Sequence, residues 1–263
     1  MQRQIAFLMV ACLAGVCVSM APPALAQSSP SATPDFSGVY YPMQQGRGGG
    51  RGQRAGGPPA GQPARPTQSA PVSDGSQGRS PDAPSLTPEY LAKWEVIRKS
   101  RMSGSYEYDN NAKCLPPGMP AMMNMAYGME VMQTKEKITF FSELNDALRR
   151  VYLDGRKPTQ KHLDDPTYAG YSTGHWEGDT LVVETVALHS DSFIEGFSPH
   201  SDQMVVRERI RFVGPGLLED RITVTDPKAL IKPWETVRTY RKSSKGNDEL
   251  REFACAEGLT REK

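Results

Sequence analysis

The feature that most constrains this chain is its punctuation. From Met129 to the end, short runs of alternating apolar and polar residues are separated by tight-turn residues. These runs are Val131–Gln133, Ile138–Phe141, Leu148–Leu153, Tyr168–Trp176, Thr180–Ala187, Met204–Val213, Leu217–Thr225, Trp234–Arg241 and Leu250–Cys255. Between them stand Thr134-Lys135-Glu136-Lys137, Asp154-Gly155, Glu177-Gly178-Asp179 and Gly214-Pro215-Gly216. A period of two with hairpin turns predicts β-strands. Parallel pairing needs crossovers of a dozen or more residues, so the expected fold is mainly β, an antiparallel meander. An up-and-down barrel is the first expectation and a β-sandwich the second.

One helix is expected before the strands. Thr87-Pro88-Glu89 places an N-cap residue ahead of a proline at the first helical position. Leu91, Trp94 and Ile97 follow at helical spacing, and Ser103-Gly104 marks the end.

The first residues carry the three parts of a secretory signal. Arg3 precedes an apolar run from Ile5 to Val18, and Ala24-Leu25-Ala26 offers small residues for cleavage after Ala26. The apolar run is shorter than the roughly 20 residues a bilayer requires, so no stable membrane anchor is expected. The expected location is periplasmic or secreted. The expected organisation is a signal peptide over 1–26, a short β segment over 27–42, a disordered Gly/Pro/Arg-rich tether over 43–84, and a β domain over 85–263. The tether has almost no large apolar residues to offset the entropy of ordering.

Without the signal, two cysteines remain, Cys114 and Cys255. In an oxidising compartment they suggest one disulfide. Residues 43–84 hold five arginines against two aspartates, whereas from 85 onward 25 Lys and Arg face 27 Asp and Glu. That near-neutral balance argues against nucleic acid as a partner.

The strand faces offer candidate chemistry. In the Met204–Thr225 hairpin, Arg207, Arg209 and Arg211 share a solvated face with Glu219, Arg221 and Thr223. The opposite face is apolar except for Glu208 and Asp220, and Glu184 sits likewise between Val182 and Val186. A carboxylate on an inward face is costly unless it is paired or reaches a wet cavity. Either these acids pair with arginines such as Arg209 or Arg238, or they line a barrel cavity and suit acid–base work. His200, in the Ser198–Asp202 loop before the strand that bears Glu208, is the histidine best placed for proton transfer. His162, His175 and His189 read as surface residues, and none has metal-ligand spacing.

Met119, Met122, Met123, Met125, Met129 and Met132 cluster after Cys114-Leu115-Pro116-Pro117-Gly118. Thioethers prefer Cu(I), but methionine is also an adaptable packing residue suited to a pliable lid. With no histidine interleaved, packing is the better reading.

Five stretches together resemble a family of uncharacterised exported proteins of Gram-negative bacteria. They are Asp35-Phe36-Ser37-Gly38-Val39, Cys114-Leu115-Pro116-Pro117-Gly118-Met119-Pro120, Trp176-Glu177-Gly178-Asp179-Thr180-Leu181-Val182-Val183-Glu184-Thr185, Pro199-His200-Ser201-Asp202 and Glu208-Arg209. The resemblance implies an exported β domain and marks His200, Glu184 and Glu208 as positions to watch; it makes the tether an insertion. The Trp-x-Gly-Asp-x-Leu-x-Val hairpin also resembles calycin-like barrels.

The function expected is binding of a small, largely apolar ligand in a barrel cavity. Its walls would be Asp220, Asp202, Trp176, Phe212, Met119 and Met122. The alternative is a periplasmic hydrolase, hydratase or isomerase using His200 with Glu208 or Glu184 as catalytic residues. No cofactor or metal is implied, Met-rich copper binding is the weakest alternative, and oligomeric state is not legible.

Overall fold

The structure is a computed structural model that describes residues 33–43, 82–124, 126–245, 248–253 and 255. The expected signal peptide and nearly all of the expected tether lie outside the described residues.

Nine strands close into one barrel in sequence order. They are β1 (Gly38–Pro42), β2 (Met129–Gln133), β3 (Lys137–Ser142), β4 (Ala147–Tyr152), β5 (Tyr171–Glu177), β6 (Thr180–Val186), β7 (Val205–Gly214), β8 (Leu217–Thr225) and β9 (Trp234–Lys242). Strict alternation builds the wall. In β7 the buried residues Val206, Glu208 and Ile210 alternate with the exposed Arg207, Arg209 and Arg211. Arg209 lies opposite Arg221 and Arg211 opposite Glu219, the register expected from the hairpin.

Two features depart from the expected meander. Leu250–Cys255 adds no strand; β1 fills the gap instead, pairing with β2 on one side and β9 on the other. Tyr40 supplies the reason, a fully buried ring that gives this short strand a place in the core. Second, β4 and β5 run parallel, joined by a crossover that holds the short helix α2 (Gln160–Asp164). Their pairing covers only Val151 with Ser172 and Tyr152 with Thr173.

The long helix α1 (Pro88–Met102) starts and stops where expected. Its packed stripe is Tyr90, Trp94 and Ile97, while Leu91 points to solvent. Thr87 stands at the N-cap in extended conformation, but its hydroxyl donates to Lys228 O at 2.9 Å. That bond and the Leu86–Leu230 bridge tie the helix entrance to the β8–β9 loop.

Cys114 and Cys255 form a disulfide with a Cα–Cα distance of 5.8 Å. It fixes the start of the Met-rich segment, which Asn145 also holds by donating to Leu115 O at 2.8 Å.

Candidate functional site

The barrel interior holds a charged cluster rather than a purely apolar core. Arg149 points inward from β4 between Ala147 and Val151 and is fully buried. Its Nη1 donates to Glu208 Oε1 at 2.8 Å, and its Nη2 to Glu208 Oε2. Nε donates to Ser172 Oγ at 3.1 Å and Nη2 also to Thr185 Oγ1 at 3.0 Å. The guanidinium thus joins β4, β5, β6 and β7 through satisfied hydrogen bonds, the condition under which a buried ion pair is tolerable.

Asp220 is the diagonal neighbour of Glu208 across the β7–β8 ladder and is equally buried. Burial, and then the charge of Glu208, push its carboxyl well above the usual carboxylate range. A proton kept on Asp220 leaves Arg149 and Glu208 as the one balanced charge pair of this group. The Tyr240 hydroxyl is raised well above its usual range by burial, with Asp220 and Glu208 adding to it, and it donates to Met123 O.

Glu208 and Asp220 therefore face inward as their alternation predicts. Glu208 pairs with Arg149 and not with Arg209, which bonds Glu177 at 2.9 Å outside the barrel. Arg238 stands opposite Asp220 in the β8–β9 register, and its charge lowers the pKa of that carboxyl, but its hydrogen bond goes to Glu195 at 2.9 Å. The expectation for Glu184 is overturned. In β6 the inward residues are Leu181, Val183 and Thr185, and Glu184 is exposed, paired with Arg207 at 2.8 Å. Val182 and Val186 flank it on the half-buried outer face.

The expected wall residues are dispersed. Asp202 is exposed and bound to Lys228 at 2.7 Å. Trp176 and Phe212 pack on Phe36, with ring centroids 5.2 and 5.1 Å apart, near the last residues of β5 and β7. Met119 and Met123 are buried in the core.

His200 is buried in its loop. Nδ1 lies 2.7 Å from Ser201 O, an acceptor, so Nδ1 carries the proton. Nε2 lies 2.8 Å from Ser192 Oγ, whose hydroxyl donates to His189 O at 2.9 Å. Burial holds the imidazole below its ordinary value of 6.5 and keeps it neutral. Asp226 braces the loop by accepting from the Ser201 N–H and hydroxyl and from the N–H groups of Lys228 and Ala229. Neither Glu208 nor Glu184 is a hydrogen-bond partner of His200. Ser192 is fully buried beneath Gly118, where an added Cβ would stand 2.5 Å from Ser192 Cβ. The Ser192 hydroxyl is held between His189 O and the His200 ring.

A concave site lies elsewhere, where β4 and β5 splay apart. A cleft of about 410 Å³ opens there, within the range of small-molecule sites. One wall is Leu148, Arg150 and Tyr152, the outer residues of β4, with Ala147 behind them. The opposite wall comes from α2 and from Thr167–Tyr171, and Pro116, Gly118 and Met122 close one side. Tyr171 sits 4.3 Å from the His162 ring and 5.3 Å from Tyr152. Thr159 N–H donates to His162 Nδ1 at 3.0 Å, which orients the imidazole. Arg156 caps Tyr152 at 4.3 Å. Among the described residues Arg150 makes no ion pair.

Of the expected ligand-binding residues, Met122 alone lines this cleft. Tyr152, His162, Tyr168 and Tyr171 were missed by sequence reasoning, although the aromatic spacing of Tyr168-Ala169-Gly170-Tyr171 was a visible signal. Among the described residues, no group of three or more His, Cys, Asp or Glu side chains gathers to hold a metal. No protein-family model matches the chain, and no curated protein matches it either.

Proposed function

We propose that this protein is an exported barrel that binds a small, largely apolar molecule bearing an aromatic ring in the β4–β5 cleft. The observation that carries this reading is the cleft itself. Its walls offer the rings of Tyr152, His162 and Tyr171 and the apolar surfaces of Leu148 and Met122, with the Arg150 cation among them. Apolar and aromatic walls with a few polar groups are what small-ligand sites present. The Met-rich segment takes part as a wall through Met122, with the pliability a thioether side chain brings. Export is supported by the N-terminal apolar run from Ile5 to Val18 followed by Ala24-Leu25-Ala26, and by the Cys114–Cys255 bond, which suits an oxidising compartment.

The test is titration of the purified protein with a planar apolar fluorophore. Saturable binding at one site is expected, weakened about tenfold by Tyr171→Ala because an aromatic contact contributes about 0.5–1.5 kcal/mol beyond its buried area. Absence of saturable binding, or binding indifferent to Tyr171, overturns the proposal.

A further inference from the structure

The cleft contains an unused edge of the β-sheet. Leu153 N–H donates to Glu136 O at 2.8 Å, and the neighbouring β2–β3 ladder has the matching phase, with Thr134 N–H bonded to Lys137 O and Glu143 N–H to Gly128 O. In an antiparallel ladder, hydrogen-bonded and non-hydrogen-bonded pairs alternate. The backbone groups of Ala147, Arg149 and Val151 therefore turn toward β3, and those of Leu148, Arg150 and Tyr152 turn toward β5.

On that side β5 reaches only part of the way. The pairing of Val151 with Ser172 directs Ser172 N–H to Arg150 C=O and Tyr152 N–H to Ser172 C=O. The next rung would need residue 170. Gly170 instead has φ +67°, and its N–H donates to Thr167 O at 3.1 Å while Thr167 Oγ1 donates to Gly170 O at 3.3 Å. The chain closes on itself there as a turn. Because the β4–β5 pairing stops at Val151 and Ser172 and no loop bond reaches them among the described residues, Leu148 C=O and Arg150 N–H are left without a rung on the side of β5, and both residues line the cleft.

That pair is the acceptor and donor that one residue of a parallel strand engages, its N–H on Leu148 C=O and its C=O on Arg150 N–H. We infer that the ligand class of this cleft is a peptide-like amide. One amino-acyl unit docks as the missing rung between β4 and the Gly170 turn, with its aromatic or apolar substituents against Tyr171 and Leu148. This is strand addition confined to a single residue. It rests on the cleft being a binding site, and it adds the recognition element that an apolar wall lacks.

The test uses the full-length, ¹⁵N-labelled protein and two probes of the same shape, N-benzoyl-alanine methylamide and O-benzoyl-lactic acid methylamide. The second replaces the bridging N–H by oxygen. The amide is expected to bind about tenfold more tightly, since it alone donates to Leu148 C=O. Its binding is also expected to move the Arg150 N–H resonance and to weaken in Tyr171→Ala. Equal affinity of the two probes, or an Arg150 N–H that does not respond, overturns the inference. If both probes then still depend on Tyr171, the cleft stands as an apolar site without amide recognition. If neither probe binds while the fluorophore does, the inference again fails and the cleft survives. If nothing binds, both readings fall.

Discussion

Arg149 on β4 and Glu208 on β7 meet inside the barrel through a two-pronged ion pair that is almost wholly shielded from water, with side-chain exposures of 1% and 0%. Such a pair is a poor source of net stability but a strong constraint, because removing one partner strands the other charge. Arg149→Met is expected to lower stability by about 3–5 kcal/mol, measured by urea unfolding, while Arg149→Met with Glu208→Leu recovers much of that loss. An Arg149→Met protein as stable as the parent contradicts this account of the interior.

Asp220 gives the barrel a pH dependence of definite sign. Its folded carboxyl holds its proton well above the ordinary value of 3.8, so the folded state binds more protons than the unfolded chain. The stability linked to this group is complete below pH 3.8 and is lost as pH rises through the folded value. Asp220→Asn is expected to flatten that decline in a series of unfolding curves taken from pH 4 upward.

His200 has the opposite sign. Its folded imidazole titrates below the ordinary 6.5, so below pH 6.5 the unfolded chain takes up a proton that the buried ring refuses. Its contribution is present above that pH and is lost as pH falls through the folded value. Thermal unfolding of His200→Asn from pH 7 down to pH 5 is expected to show a weaker acid limb than the parent.

The strand alternation that places Glu208 and Asp220 inside was legible in the sequence because their neighbours Val206, Ile210 and Ile222 are unambiguous. Arg149 was equally accessible, flanked at two-residue spacing by Ala147 and Val151, but a lone arginine in a strand reads first as a surface residue. Glu184 misled for a physical reason: the outer face of β6 carries Val182 and Val186, so both faces of that strand look apolar. Of the cleft, only Met122 and the aromatic spacing of Tyr168 and Tyr171 left a trace in the sequence; its place did not. It depends on how far β5 slides along β4, and that offset is set by the folding of residues 153–170 rather than by any local pattern.

The disulfide makes a separate prediction. Cys114 and Cys255 are separated by 141 positions, and a loop of that size limits the unfolded chain considerably. Replacing both with serine is expected to cost about 3–5 kcal/mol in chemical unfolding. It is also expected to weaken ligand binding, because Cys114 anchors the segment that leads to Pro116, Gly118 and Met122.

β1 is the piece of the barrel supplied from the far end of the chain. It lies between β2 and β9, yet among the described residues the next element along the chain is α1, which begins at Pro88. The polypeptide is therefore its own strand donor. A cut just after Met43 leaves a fragment carrying Phe36 and Tyr40 seated among eight strands, held by ladder bonds, buried rings and the hydrogen bonds that Gln133 makes with Pro34, Phe36 and Ser37. The cylinder cannot close until β9 has been made, so a growing chain carries an open seam from its first strand to its last.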